Sequence, residues 1–287
     1  MPEKRNLNQN DWDYIIKPKR GWFEVNLREI WEYRDLLTMY VKRNLLTLYK
    51  HTVLGPFWLI LQSLITIVIY MFIFGGLAGI STEGIPQPLF YMAGILLWNY
   101  FNDCFQASNN VLVSNADIFG KVYFPRLIVP LASIVSSLGK LGIQFILFLV
   151  IYFFCLFFQN NLSLNWTIIF TPFYILIIAF FGMSLGLLVT SLTYKYRDLQ
   201  LLITYFLQLL MYATPVVYPL ETIPEKYKVI VELNPLTSIF ETFKYGWFNT
   251  GFYDWQGMIY SCVFLILLVS FSILFFNRME QNFIDTV

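Results

Sequence analysis

The chain has 287 residues, of which 57% are hydrophobic and 13% are charged, with a formal net charge of +1 and a mean hydropathy of +0.60. Soluble domains carry roughly a quarter charged residues, so this composition excludes a water-soluble globule and favours a membrane protein. The three cysteines, Cys104, Cys155 and Cys262, lie in apolar runs, and His51 is the single histidine. This set matches no metal-ligand spacing, so we expect no metal site. We also expect no nucleic-acid partner.

The first 52 residues are polar and charged and contain no cleavable signal, so we expect a cytoplasmic amino-terminal segment over residues 1–52. Within it, residues 23–48 carry apolar side chains at helical spacing with charged side chains between them. This pattern predicts an amphipathic helix that lies in the headgroup plane of a membrane. An ordinary cytoplasmic helix is the alternative.

Apolar stretches over residues 53–287 predict an all-α membrane protein with six transmembrane helices. Ten of the 19 Lys and Arg residues precede the first stretch, and most of the others fall in loops on the same side. By the positive-inside rule that side is cytoplasmic, so both termini are expected in the cytoplasm. The predicted spans are residues 53–80, 89–113, 127–158, 166–192, 199–218 and 257–276.

The longest predicted loop on the opposite side is residues 219–250. Pro224, Asn234 and Pro235 divide it into two short amphipathic segments, and Glu221 precedes both. Helices of about 10 to 14 residues are too short to cross a bilayer. We therefore expect short re-entrant or interfacial helices before the last span.

Two of the predicted spans carry matching rows of polar and aromatic side chains four residues apart. Residues at this spacing share a helix face, and polar groups in hydrocarbon need a partner or water. The rows either bond helix to helix or line a transport path. They consist of Trp58, Gln62, Thr66 and Tyr70 in the first span and Thr204, Tyr205, Gln208 and Tyr212 in the fifth.

Two ionisable residues fall inside predicted spans, Asp103 in the second and Lys140 in the third. Ionisable groups within a membrane are candidates for function, although these two can also pair with each other. In the fourth span, Gly182 and Gly186 form a small-xxx-small pattern that predicts close approach of another helix.

The sequence contains neither a phosphate-binding loop nor a zinc-protease motif. The one G-x-S-x-G match, residues 182–186, lies inside a predicted span and lacks a downstream histidine. We therefore expect no catalysis by this chain. Energy for uphill transport must come from an ion gradient or from another subunit.

Four stretches occur in order along most of the chain: a Leu-Gly-x-x-Trp turn at residues 54–58, the run FGKVYFPRLIVP at 119–130, an Arg-Asp pair at 197–198, and Thr-Pro-Val-x-Tyr with Asn-Pro-Leu at 214–236. Together they resemble the membrane subunits of ABC exporters for polysaccharides and polyol phosphates, most closely the O-antigen export permeases.

The resemblance implies a homodimer in the bacterial inner membrane that works with two ABC ATPase subunits, which bind ATP and Mg²⁺. This chain itself is expected to hold no cofactor. The cargo would be a lipid-linked polysaccharide for lipopolysaccharide biosynthesis, and it would pass through a pore formed by the first and fifth spans at the dimer interface.

The resemblance also implies a coupling helix at about residues 114–125 that docks on the ATPase, with a solvated basic loop as the alternative. The helices of residues 219–250 would form an extracytoplasmic gate. The coupling residues would be Asp117, Ile118, Phe119, Lys121, Tyr123 and Arg126, and the gate residues Glu221, Pro224, Asn234 and Pro235.

Three other functions stay open. Within ABC exporters, the cargo could be teichoic acid, capsule polymer, a drug or a lipid. An ion-coupled secondary transporter would need internal repeats and buried ionisable residues at mid-membrane. A structural membrane scaffold would need no ATPase partner.

Overall fold

The computed structural model describes residues 27–49, 55–115, 118, 124–159, 162–193, 199–251 and 253–284. Within these ranges the regular structure is entirely helical, which confirms the predicted all-α class. A π-helical turn, Met71–Leu77, continues the third helix, and 3₁₀ turns occupy Trp166–Phe170 and Leu220–Thr222. The helices are α1 (Leu27–Glu32), α2 (Arg34–Tyr49), α3 (Phe57–Tyr70), α4 (Gln87–Asn109), α5 (Val111–Ser114), α6 (Ile128–Gln159), α7 (Thr171–Thr193), α8 (Leu199–Tyr212), α9 (Glu225–Glu232), α10 (Pro235–Phe248) and α11 (Trp255–Ile284).

Four helical segments in the described part of the chain are long and apolar enough to cross a membrane. They are Phe57–Leu77, Ile128–Phe158, Trp166–Thr193 and Trp255–Arg278. These correspond to the first, third, fourth and sixth predicted spans. The other two predicted spans correspond to α4, which has 23 residues but a more polar composition, and to α8, which is apolar but has only 14 residues.

Helix α4 is the central helix of the fold. It packs most extensively on α7 and also contacts α6, α3 and α10. Its side chains are buried on nearly every face, and the less buried face carries Asn102, Asp103, Gln106 and Asn110. These polar residues lower the hydropathy of α4. The fold tolerates them because a helix that is surrounded by other helices need not present an apolar surface to lipid.

The two glycines of the fourth predicted span bring α7 against α4. A Cβ atom on Gly182 would lie 2.6 Å from the Phe101 carbonyl oxygen, and one on Gly186 would lie 2.5 Å from that of Phe105. Side chains at these positions would force the helices apart. The close approach that the small-xxx-small pattern predicted is confirmed.

Helix α8 is shorter than the predicted fifth span, which extended to residue 218. The helix ends at Tyr212, and a buried turn with Thr214, Pro215 and Val216 follows. Proline biases its preceding residue away from helical geometry, which accounts for the early end. With 14 residues α8 rises about 21 Å, less than the roughly 30 Å of a bilayer's hydrocarbon core.

The region predicted as an amino-terminal helix folds as α1 and α2, which are joined at Tyr33. Its amphipathic, interfacial character stays a prediction. Backbone bonds from Tyr33 N to Glu29 O and from Leu37 N to Tyr33 O keep the two nearly continuous. Helix α2 packs against α6, and its Tyr40 is buried. Other apolar side chains of this region, Trp31, Met39 and Leu46, are exposed.

Candidate functional site

The polar row on α3 winds around the helix instead of following a straight line. With 3.6 residues per turn, each step of four residues advances the row by about 40°. Trp58 and Gln62 are therefore exposed, Thr66 is half-buried, and Tyr70 packs its ring at 5.5 Å from Phe74. Apart from Ser63 and Ile67, the side chains of α3 are not buried.

The row on α8 faces outward along its whole length. Thr204, Tyr205, Gln208 and Tyr212 are all exposed, and Leu207 is the buried residue of this helix. The rows on α3 and α8 approach each other at one end, where Tyr70 Oη lies 3.9 Å from the sulfur of Met211. Lining of a pore by these residues stays a prediction.

The predicted coupling segment lies mostly outside the described residues, and this includes Asp117, Phe119, Lys121 and Tyr123. At its edges, Ile118 is half-buried and its backbone N–H donates to Asn115 O at 3.0 Å. Arg126 is buried. Phe124 packs on Tyr40 of α2, with ring centroids 6.2 Å apart, so the end of this segment contacts the amino-terminal helix. Docking on an ATPase stays a prediction.

The two short helices expected before the last span are present as α9 and α10. Pro224 immediately precedes α9, and Glu221 is exposed just before it. Asn234 caps α10, because its Oδ1 accepts from Leu236 N at 3.1 Å, and Pro235 occupies the first helical position. Helix α10 is buried on most faces. The gate role of these residues stays a prediction.

Asn234 also ties α10 to the turn after α8. Its Nδ2 donates to the Thr214 hydroxyl at 2.8 Å and to Ala213 O at 3.2 Å. The end of the exposed helix α8 is thereby fixed to the buried helix α10, so movement of one must displace the other or break these bonds.

The sequence analysis did not identify Lys244 as a site residue; it lies in the predicted outer loop of residues 219–250. This lysine of α10 is buried, and its Nζ donates to Pro215 O at 2.6 Å and to Glu241 Oε1 at 3.2 Å. The Nζ also lies 4.3 Å from the ring centroid of Phe90 at the start of α4. Its i,i+3 spacing from Glu241 was visible in the sequence, but the contacts with Pro215 and Phe90 depend on the tertiary fold.

Two further carboxylates, Glu83 and Glu221, lie close to the Lys244–Glu241 pair. Burial raises the pKa of Glu83, the negative charges of Glu221 and Glu241 raise it further, and Lys244 opposes this rise. The loop between α3 and α4, the 3₁₀ turn Leu220–Thr222 and the helix α10 therefore meet at one charged cluster, Glu83–Glu221–Glu241–Lys244.

The two ionisable residues within predicted spans form an ion pair. Lys140 Nζ lies 2.9 Å from Asp103 Oδ1, and each side chain keeps about a quarter of its surface exposed, 26% for Lys140 and 29% for Asp103. Opposite charges at this distance stabilise one another where hydration is reduced. The contact joins α4 to α6.

A model of the family described as ABC-2 type transporter matches residues 35–248 of this chain. This match extends from α2 through α10 and so contains every predicted site residue. The chain belongs to the ABC-2 type transporter family, whose members are membrane transport subunits and not nucleotide-binding domains.

Individual relatives support this assignment, and their alignments with this chain cover nearly their full length. The chain is 27% identical over 259 residues to the O-antigen export system permease protein RfbA of Myxococcus xanthus, covering 89% of this chain and 96% of that protein. It is 28% identical over 259 residues to the protein of the same name from Klebsiella pneumoniae, covering 88% and 94%. The family resemblance that the sequence motifs indicated is confirmed.

Proposed function

We propose that this chain is the transmembrane subunit of an ATP-driven exporter that moves a lipid-linked, O-antigen-like polysaccharide across the bacterial inner membrane. Two copies form the pore at their shared interface, and both termini of each copy face the cytoplasm. Helix α4, and α8 together with the buried turn that follows it, complete six spans, and α1 with α2 lies in the cytoplasmic headgroup plane. Two ATPase subunits supply the energy.

The observation that carries this proposal is the exposure of α3 and α8. Each bears a polar row together with large exposed apolar side chains, such as Leu64 and Val68 on α3 and Leu202 and Leu209 on α8. A second copy that covers the apolar parts of these faces would enclose the polar rows between the two chains. This arrangement would give a continuous path that water can reach.

The chemistry of the rows suits a glycan. The hydroxyls of Thr66 and Thr204 donate to carbonyl oxygens of their own helices, Gln62 O at 2.9 Å and Gln200 O at 3.2 Å. Their remaining lone pairs accept hydrogen bonds, and sugar hydroxyls can donate them. Aromatic faces such as Trp58 and Tyr205 pack on the C–H faces of sugar rings without fixing one register, which lets a polymer slide. A drug or lipid cargo would favour a more aliphatic lining.

The names of the relatives favour the same cargo, since two proteins that align with nearly all of this chain are called O-antigen export permeases. Teichoic acid or capsule polymer is the second candidate, because either would present similar hydroxyls to the same rows.

The experiment is reconstitution of this chain with its ATPase partner in proteoliposomes that contain a lipid-linked O-polysaccharide. We expect ATP-dependent movement of the glycan to the opposite face, measured as protection from an added glycosidase. An ATPase subunit that cannot hydrolyse ATP is the control and should abolish the movement. Transport that needs an ion gradient and no ATPase would contradict the proposal.

A further inference from the structure

A polar crevice of about 730 Å³ lies between α2, the cytoplasmic end of α4 and the first half of α6. A volume of this size is typical of small-ligand sites. The residues of the predicted pore rows are not among its described lining residues, so the crevice is separate from the proposed transport path. The lining includes Arg43, Asn44, Asp103, Ser133, Ser136 and Lys140.

The crevice exists because α2 touches α6 closely at one point, with short side chains beside the contact. A Cβ atom on Gly139 would lie 2.7 Å from Leu45 Cδ2, so α2 rests directly on the α6 backbone there. Along α6, Ser133, Ser136 and Ser137 are too small to fill the space under α2. From Val129 to Lys140 the lining extends about 16 Å at 1.5 Å per residue.

Two cations line the crevice, and both keep unused hydrogen-bond donors. Lys140 gives one of its three N–H groups to Asp103 at 2.9 Å. The Arg43 guanidinium lies 4.4 Å from the ring centroid of Tyr40, and its Nη2 donates to Asn44 Oδ1 at 3.3 Å. Among the described lining residues, two positive charges and the one negative charge of Asp103 leave an excess of one positive charge.

The remaining lining groups offer mainly acceptors. The hydroxyls of Ser133, Ser136 and Thr47 already donate to the carbonyl oxygen four residues earlier, at 3.0, 2.7 and 2.8 Å. The amide groups of Asn110 and Asn115 likewise donate to carbonyl oxygens of preceding residues. Each hydroxyl and amide oxygen therefore keeps lone pairs for a ligand that brings its own donors.

We propose that this crevice binds the phosphate ester of an anionic membrane lipid whose headgroup also carries hydroxyl groups. The phosphate accepts charge-assisted bonds from Arg43 and Lys140, and the hydroxyls donate to serine and amide oxygens. Basic pockets between helices on the cytoplasmic side of a membrane are where anionic headgroups bind. The site does not rest on the cargo proposed above.

Two kinds of lipid bring this chemistry, a glycerophospholipid such as phosphatidylglycerol and an isoprenoid diphosphate that carries a sugar. Both contain a phosphate ester, and the cytoplasmic leaflet of a bacterium can supply either. The test below separates them.

The test measures binding of short-chain phosphatidylglycerol to the purified full-length chain in neutral detergent, by native mass spectrometry, with phosphatidylcholine of the same chain length for comparison. We expect tighter binding of phosphatidylglycerol, weakened roughly tenfold by Arg43→Gln, because one or two charged hydrogen bonds are lost. Lys42→Gln is the matched control. Lys42 precedes Arg43 and is exposed but is not a lining residue, so its replacement should change affinity less than about twofold.

Ser133→Leu provides a second variant that fills the crevice without altering charge, and it should also weaken binding. A farnesyl diphosphate that carries one sugar is then added as competitor. If the competitor displaces phosphatidylglycerol from the wild-type chain and does so less effectively from Arg43→Gln, isoprenoid diphosphates are a source of the ligand. If the competitor displaces no phosphatidylglycerol, the ligand is a glycerophospholipid. Equal losses for Arg43→Gln and Lys42→Gln, or no loss for Arg43→Gln and Ser133→Leu, would overturn the site and leave only general surface attraction.

Discussion

Lys244 is a buried charge whose contacts come from separate parts of the chain. An ammonium group taken out of water is costly unless it is paired and hydrogen-bonded, and Lys244, with 3% of its surface exposed, satisfies this with Pro215 O and Glu241. Its position against Phe90 adds an attraction between a cation and an aromatic face. One side chain thus holds α10, the turn after α8 and the start of α4 together.

Replacing Glu83 by Gln should stabilise the protein at neutral pH. Because the pKa of Glu83 is raised in the folded state, chiefly by burial, its ionised form lowers the free energy of unfolding. That penalty is full above the raised pKa and disappears as pH falls toward the ordinary glutamate value of about 4.3. The stability difference between Glu83→Gln and wild type, measured by unfolding in detergent, should therefore shrink with acidification.

The control for this change is Glu225→Gln, at an exposed acid in the first turn of α9. Its negative charge favours the amino-terminal end of the helix, so its removal should not stabilise the protein. A Glu83→Gln difference that stays constant from neutral pH to about pH 4 would contradict the role given to ionisation of Glu83.

Gly94 of α4 is needed where the turn after α8 crosses this helix. A Cβ atom at this position would overlap the carbonyl oxygen of Val216, whose backbone is held in a buried turn. We expect Gly94→Ala to lower the free energy of unfolding by about 1–3 kcal/mol, as overpacking does. Chemical unfolding in detergent measures this change.

Gly142→Ala on α6 is the matched control, because no atom lies within 4 Å of a Cβ built there. It should raise stability by about 0.5–1 kcal/mol through helix propensity alone. Similar effects of the two alanines would show that the contact between Gly94 and Val216 is unimportant.

Among the helices, periodicity and hydropathy predicted α6, α7 and the start of α11 within a few residues, because long apolar stretches have few alternatives to a helix. The fifth span was predicted too long, because residues 213–218 are mostly apolar and yet form a turn, with residues 214–217 buried around Pro215. Apolar composition indicates that a segment is buried, but proline geometry and tertiary packing decide that this buried segment forms a turn and not a helix.

For the candidate sites, too, the sequence predicted local features and not contacts between distant residues. The spacing of Gly182 and Gly186 predicted a close approach, because small residues four apart have a direct steric consequence. The buried position of Lys244 and the crevice beside Arg43 could not be predicted, since both depend on contacts between residues distant in the sequence. The winding of the α3 row follows from helix geometry, but the fold decides that the row begins at exposed Trp58 and ends at packed Tyr70.

The segment between α5 and α6 has its own prediction. Asp in place of both Phe119 and Tyr123 should remove the apolar surface that an ATPase groove would cover, so the ATPase subunit should no longer co-purify with this chain. Val229→Asp with Tyr227→Asp is the matched control, because it adds two charges to exposed positions of α9, outside the predicted coupling segment. An intact complex after the first pair of changes would contradict the coupling assignment.

A single copy of this chain leaves α3 and α8 only partly packed, although α4 and α10 are covered on nearly every side. Large exposed apolar side chains are normal toward lipid, but the rows of Gln, Thr and Tyr on these two helices are costly there. A second copy facing the first would place these rows toward water and the remaining apolar side chains toward lipid or the partner. This distribution of polar groups is the reason for proposing an assembly of two copies.

The most direct test of a pore at the interface is thiol reactivity in the working assembly. Cys104, Cys155 and Cys262 are first replaced, and a single cysteine is then placed at Gln62, at Gln208 or, as control, at the exposed apolar position Val150 of α6. A small membrane-impermeant thiol reagent should modify the first two in transport-competent protein and leave the third unmodified. Failure of both Gln62→Cys and Gln208→Cys to react, with transport intact, would contradict a water-accessible path between α3 and α8.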